Sequence, residues 1–182
     1  MKSMDIQTAA EKLLCARQDV ILTGEKNSGK STLCMHLASV PSFRLGGFIS
    51  AGMWEGNEKT GYQLYRPATG ERILLASRDR ERLSDSCAAD GKLAFLFSKE
   101  AFIRAEQWLA DDLSRGVQAV CIDEVGPLEL QKQGFYDILR PGRRSDNAAY
   151  LFVVRRSLLP EVTALLSLDH AEILDMEKKP YE

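Results

Sequence analysis

Cysteine and histidine are scarce in this chain: 182 residues carry four and two of them. Cys15, Cys34, Cys87 and Cys121 are widely spaced and form no C-x-x-C pair, so no zinc site or dithiol motif is encoded. Three of the four fall in apolar runs and are expected to be buried, reduced thiols. Neither His36 nor His170 has a metal-type or catalytic partner nearby in sequence. Residues 1–17 lack the apolar core of a secretory signal, and no run nears the roughly 20 apolar residues that span a bilayer. The expectation is a cytoplasmic protein with no membrane contact. Charge of one sign is missing as well: 24 Lys and Arg stand against 26 Asp and Glu, a net charge of −2. Basic residues are interleaved with acids, as in Arg78-Asp79-Arg80-Glu81-Arg82, so nothing predicts nucleic-acid binding through counterion release. Repeats and low-complexity segments are absent. The remaining composition, 45% hydrophobic and 27% charged, is that of a globular protein, and a single domain over 1–182 is expected.

What is present is concentrated first in Gly24-Glu25-Lys26-Asn27-Ser28-Gly29-Lys30-Ser31, which fits G-x-x-x-x-G-K-[ST], the phosphate-binding P-loop. An apolar β-branched run precedes it and an amphipathic helix pattern follows, the strand–loop–helix order that the motif requires. Gly24 and Gly29 free the dihedrals that let successive N–H groups curl around an anion, and the helix starting near Lys30 aims its positive end at the same point. Residues 24–32, from Gly24 through Glu25, Lys26, Asn27, Ser28 and Gly29 to Thr32, are therefore candidate phosphate binders. Lys30 reaches the β- and γ-phosphates, and the Ser31 hydroxyl is a ligand for Mg²⁺.

Periodicity organises the rest. Helices are predicted over 4–16, 28–39, 98–115, 128–139 and 158–166, the third N-capped by Ser98 and the fourth interrupted by Gly134. Strands are predicted over 19–23, 46–54, 61–66, 72–77, 93–97, 117–123, 148–154 and 171–174, with a polar turn at 55–60 and a mobile loop over 78–92. Strands alternating with helices imply an α/β fold of three layers, a mainly parallel, doubly wound sheet carrying an antiparallel β-hairpin extension. Ligand is expected at the carboxyl ends of its strands.

The strand at 117–123 ends in Asp123-Glu124. In a P-loop protein an acid there binds Mg²⁺ and helps hold Ser31, which fits Asp123. Glu124 is placed to accept a proton from water attacking the γ-phosphate, making it the candidate general base beside Lys30. An Asp followed directly by Glu points to hydrolysis more than to simple phosphoryl transfer.

The run Ile122-Asp123-Glu124-Val125-Gly126-Pro127-Leu128-Glu129-Leu130 resembles the DEIGPMEL signature of the small P-loop nucleoside triphosphatases first described in thermophiles, a family that includes the cancer-related nucleoside-triphosphatase of animals. Gly47-Phe48-Ile49-Ser50 followed by Gly61-Tyr62 is similar to that family's hairpin. The resemblance, over residues 20–166, implies a slow Mg²⁺-dependent hydrolase of ATP, GTP and other triphosphates with little base selectivity. It also implies that Glu129 fixes the loop. Three departures are visible. Ser50-Ala51-Gly52-Met53-Trp54 lacks the acid and the Arg of the family's hairpin, the loop lacks the usual Gly-x-Pro-Gly start, and Asp175-Met176-Glu177-Lys178 stands where an Asn-Arg pair is expected. Together these imply weaker or retuned catalysis.

Other residues have two readings. Arg155 and Arg156 end a strand, either as surface residues or as stabilisers of transition-state charge. Lys26 faces phosphate or water. Arg78, Arg80 and Arg82 form a solvated loop or a lid, and Trp54, Tyr62 and Tyr65 pack the hairpin or stack on a base. The rival functions are a nucleoside or nucleotide kinase and a slow nucleotide-dependent switch with a protein partner. The sequence lacks the guanine-reading Asn-Lys-x-Asp motif.

Overall fold

A computed structural model describes residues 2–83, 86–87 and 95–177. Helix α1 (Lys2–Cys15) leads into strand β1 (Val20–Gly24), and the P-loop turns the chain into α2 (Lys30–Ala38). Then come β2 (Leu45–Glu55), β3 (Glu58–Tyr65), β4 (Arg72–Ser77), β5 (Ser86–Cys87) and β6 (Leu96–Ser98). The second half runs α3 (Lys99–Ser114), β7 (Ala119–Val125), α4 (Pro127–Leu130), α5 (Tyr136–Leu139), β8 (Ala149–Arg155), α6 (Leu159–Leu166) and β9 (Glu172–Asp175).

Among the described residues the strands form one sheet in the order β5-β6-β4-β3-β2-β7-β8-β1-β9. From β2 to β9 every neighbour is parallel; from β2 to β5 every neighbour is antiparallel. This is the expected α/β architecture, with an antiparallel extension that goes beyond a hairpin. Helices cover both faces of the parallel half, and the strands show why. Side chains alternate across a strand, and here both alternating sets are apolar. Val20, Leu22, Cys121, Leu151 and Val153 pack under Ile6, Ala10 and Leu14 of α1 and Leu33 and Leu37 of α2. Ile21, Val120, Ile122, Tyr150 and Phe152 pack on the other face against Ala105 and Trp108 of α3 and Val162 and Leu166 of α6. Register pairs Gly24 with Arg155, Thr23 with Asp175 and Asp123 with Val153, so the ends of β1, β7, β8 and β9 share one edge.

Several expectations shift. The hairpin turn is tighter than 55–60, because β2 runs to Glu55 and β3 starts at Glu58. The helix expected over 128–139 is two short ones, broken where Lys132 and Gly134 take φ of 58° and 61°. Gly134 is required there, since a Cβ would lie 2.4 Å from Glu129 Oε1. Cys34 and Cys121 are buried as expected, but Cys15 is exposed at the end of α1. Parts of the loop over 78–92 and of the strand over 93–97 lie outside the described residues, as does the Arg80 side chain. Residues 80–82 form a single 3-10 turn.

The antiparallel extension is tied to the parallel half by an ion cluster centred on a buried arginine. Arg66, just past β3, pairs with Asp111 and Asp112 of α3 and with Glu71. Asp112 is fully buried, and its second oxygen accepts the Gly47 N–H at 2.9 Å.

Candidate active site

The P-loop adopts the backbone that its glycines anticipate. Gly24 and Gly29 have φ of 153° and 91°, and Asn27 joins them at 64°. At Gly24 a side chain would strike Ser28 Oγ at 2.8 Å, so the loop closes only around a bare Cα. Lys30 is buried despite its charge. Its ammonium donates to the carbonyls of Gly24 (3.0 Å) and Glu25 (2.6 Å) and to Ser28 Oγ (3.3 Å), which holds it at the loop's mouth. Helix α2 begins with Leu33 N–H bonded to Gly29 O at 2.9 Å, leaving the earlier amides to point outward.

Strand β7 brings its two acids to this loop by different routes. Asp123 is buried, and its backbone carbonyl accepts the Ser50 hydroxyl. Burial pushes the Asp123 carboxyl up to about 7, although a hydrogen bond from the Ser31 hydroxyl draws it down. One carboxylate oxygen, Oδ2, has no hydrogen-bond partner among the described residues. The Asp123–Glu124 peptide is cis, and the β7–β8 register shifts between Asp123 and Val125, leaving Glu124 out of the ladder. The Glu124 carboxylate pairs with Arg155 at the end of β8. Lys26 through Thr32 line a cavity of about 470 Å³ together with Ser50, Glu124 and Arg155, and Trp54, Lys59 and Tyr62 complete its wall.

Most sequence candidates thus meet at one edge. Gly24 and Glu25 stand at the root of the loop, Asp123 lies behind Ser31, and Glu124 faces the cavity. Arg155 joins them, while Arg156 stays out of the cavity and pairs with Asp175, Glu177 and, at 3.7 Å, Glu25 at the root of the loop. Glu129 does not reach the cavity around the P-loop. Its two oxygens accept the N–H groups of Gly126 (2.8 Å) and Phe135 (2.9 Å), fixing the loop after Glu124. Burial pushes its carboxyl up to about 7 against the pull of those amides. Arg78 pairs with Glu58, and Arg82 with Glu55 and Asp79; neither lines the P-loop cavity. Tyr65 stacks with Arg72, whereas Trp54 and Tyr62 face the cavity. His170 bonds to Asp19, at the opposite ends of the strands.

One contact has no counterpart in the sequence reading. The Glu177 carboxylate accepts the Glu25 N–H of the P-loop at 3.0 Å, across 152 residues of chain, and Arg156 holds it there. Only the unusual acids at 175 and 177 hinted at it.

The Ser31 hydroxyl and the unpartnered Asp123 oxygen are hard oxygen donors of the type Mg²⁺ takes, with its remaining ligands from water and phosphate. Among the described residues no group of three His, Cys, Asp or Glu is placed to hold a metal ion. No described helix is long and apolar enough to cross a membrane.

A family model described as NTPase matches residues 19–179. The nucleoside-triphosphatase THEP1 of Methanopyrus kandleri is 29% identical over 153 residues, covering 81% of this chain and 79% of its own. That of Methanothermobacter thermautotrophicus is 29% identical over 147 residues, with coverages of 76% and 78%. Among solved structures, THEP1 from Aquifex aeolicus superposes with a TM-score of 0.64 at 22% identity, over 87% of this chain and 89% of its own. A human cancer-related nucleoside triphosphatase gives 0.59 at 22% identity, over 87% and 88%. A backbone cradle at β1, an acid pair at β7 and a sequence match over nearly the whole length agree: the chain belongs to the NTPase family.

Proposed function

We propose that this protein is an enzyme that hydrolyses nucleoside 5′-triphosphates, ATP and GTP among them, to the diphosphate and phosphate. The observation that carries the reading is the shared cavity, in which the P-loop amides and Lys30 face the Glu124 carboxylate. The names of the curated relatives, nucleoside-triphosphatase, support the same reaction.

The loop amides and Lys30 bind the β- and γ-phosphates and neutralise charge that grows on them during transfer. Ser31 and Asp123 would hold Mg²⁺, which would offset phosphate charge. Glu124 accepts a proton from the attacking water, and Arg155 orients its carboxylate through their ion pair. The backbone cradle contacts phosphate and not base, so base selectivity is low.

The test is Glu124→Gln, which keeps the shape and removes the proton acceptor. Phosphate release from Mg²⁺–ATP should fall about 10²–10⁴-fold while affinity for a non-hydrolysable triphosphate stays within a few-fold. Unchanged turnover removes Glu124 from the reaction.

A further inference from the structure

Beyond Glu124 lies a second cavity, of about 220 Å³, under the antiparallel extension. Its walls are rings: Tyr62, Phe95, Phe97, Phe102 and Phe135 surround it, with Leu75 and Leu128 between them. The rings brace one another. Tyr62 and Phe95 meet edge to face at 5.3 Å, as do Phe102 and Phe135 at 4.9 Å. The charged and polar side of the cavity is made by Lys26, Ser50, Glu124, Glu129 and Arg155; Glu129 is engaged by backbone amides, and the other four, with Tyr62, also line the P-loop cavity. The two spaces therefore share a wall, and the candidate base stands in it.

Hydrolysis alone does not call for this arrangement. An attacking water needs only about 30 Å³ and two to four polar partners, whereas a dry apolar cavity of roughly 150 Å³ takes a benzene ring. A ligand with a flat apolar body and one hydroxyl satisfies both ends: its body lies among the rings and its oxygen meets Glu124. The nucleobase of the triphosphate is a poorer fit. If the γ-phosphate faces Glu124, the base lies at the opposite end of the polyphosphate, and Gly29, Lys30, Ser31 and Thr32 line only the other cavity.

We propose that the ring-walled cavity beside Glu124 and Arg155 binds an aromatic or heteroaromatic alcohol, and that the site transfers the γ-phosphoryl group to its hydroxyl in competition with water. The inference rests on the proposed placement of the γ-phosphate between Lys30 and Glu124. In the step, the alcohol oxygen forms a bond to the γ-phosphorus and the bond from that phosphorus to the β–γ bridging oxygen breaks. The diphosphate leaves with the electron pair, and the hydroxyl proton passes to the Glu124 carboxylate. The products are a nucleoside diphosphate and the phosphate monoester of the alcohol, with no redox change.

The probe is 4-fluorobenzyl alcohol, added with Mg²⁺ and γ-³²P-labelled ATP to the full chain. Label is expected in 4-fluorobenzyl phosphate as well as in inorganic phosphate, and the protein should shift the ¹⁹F signal of the alcohol. Leu75→Phe narrows the cavity and should lower the ratio of ester to phosphate about tenfold or more. The ratio is read within one reaction, so a change in total rate cancels. Leu128→Phe serves the same purpose if the first variant fails to fold. Label in inorganic phosphate alone, at any concentration of alcohol, overturns the proposal and leaves the hydrolase reading standing. No release of label with or without alcohol defeats the hydrolase reading, and this inference with it. Weaker binding of a non-hydrolysable ATP analogue in the narrowed variant, with inorganic tripolyphosphate unaffected, assigns the cavity to the nucleobase and overturns the acceptor.

Discussion

Glu124 and Glu129 belong to one loop and meet opposite demands. Glu124 is partly exposed and opposes an arginine in a cavity; Glu129 is buried and spends both oxygens on backbone amides. For Glu129 this has a consequence for stability. Its carboxyl is raised from 4.5 to about 7 in the fold, so between those values the native state holds a proton that the unfolded chain releases. Stability from this group is complete below pH 4.5 and declines as pH rises to 7, by roughly 1.4 kcal/mol per pH unit, and is flat above. Asp123, raised to about 7, acts in the same sense. Urea unfolding followed between pH 4.5 and 8 should show this decline in the protein free of ligand. Glu129→Gln should reduce the slope by about half and, by turning an NH₂ toward a backbone N–H, cost about 1–3 kcal/mol at the acid end. Parallel curves for the two proteins would refute the assignment. Arg155 and Arg156 differ in the same way: adjacent arginines that share both readings in the sequence serve different partners, Glu124 for one and Asp175 with Glu177 for the other.

At the scale of elements, two ties hold the site's walls in place. The first is Arg66, which joins the end of β3 to α3 and, through Asp112, to Gly47 of β2. Arg66→Met would leave the Asp112 charge fully buried without its cation, a loss of about 3–5 kcal/mol. Chemical denaturation should show this, and Arg66→Met combined with Asp112→Asn should recover part of it. The second tie is Arg156, which secures Asp175 and Glu177 beside the P-loop. Arg156→Ala should speed amide exchange across β9 and at Glu25 while leaving exchange in β7 unchanged. Neither tie was legible in the sequence. Over 128–139 the expected interruption at Gly134 is present but wider than one residue, because Glu129 reaches past it to the Phe135 N–H and holds 131–135 out of the helix.

For the whole molecule, ligand binding and folding are linked through the junction between the parallel and antiparallel halves. A non-hydrolysable triphosphate with Mg²⁺ at about 100 times its Kd should stabilise the protein by about 2.7 kcal/mol, a rise in Tm of roughly 5–11 °C for a chain of this size. Lys30→Ala should abolish the rise, because the ammonium is the one side-chain cation buried inside the loop. An equal shift in that variant would place the nucleotide elsewhere.

The order of residues was enough for the P-loop, the strand-end acids, the apolar runs that build a sheet buried on both faces, and the strand edge at which loop and acids meet. Each depends on neighbours within a few residues: φ freedom at Gly24 and Gly29, continuous apolar runs such as Val20-Ile21-Leu22, a carboxylate at a strand's end. The cavity wall is different. Arg155 meets Glu124 across 31 residues and Glu177 meets Glu25 across 152, because parallel register lays β8 beside β7 and β9 beside β1. Register and packing sum over the whole chain, and no local stretch carries them. The ring-walled cavity exists only where the antiparallel strands fold back over α3 and the 126–135 loop.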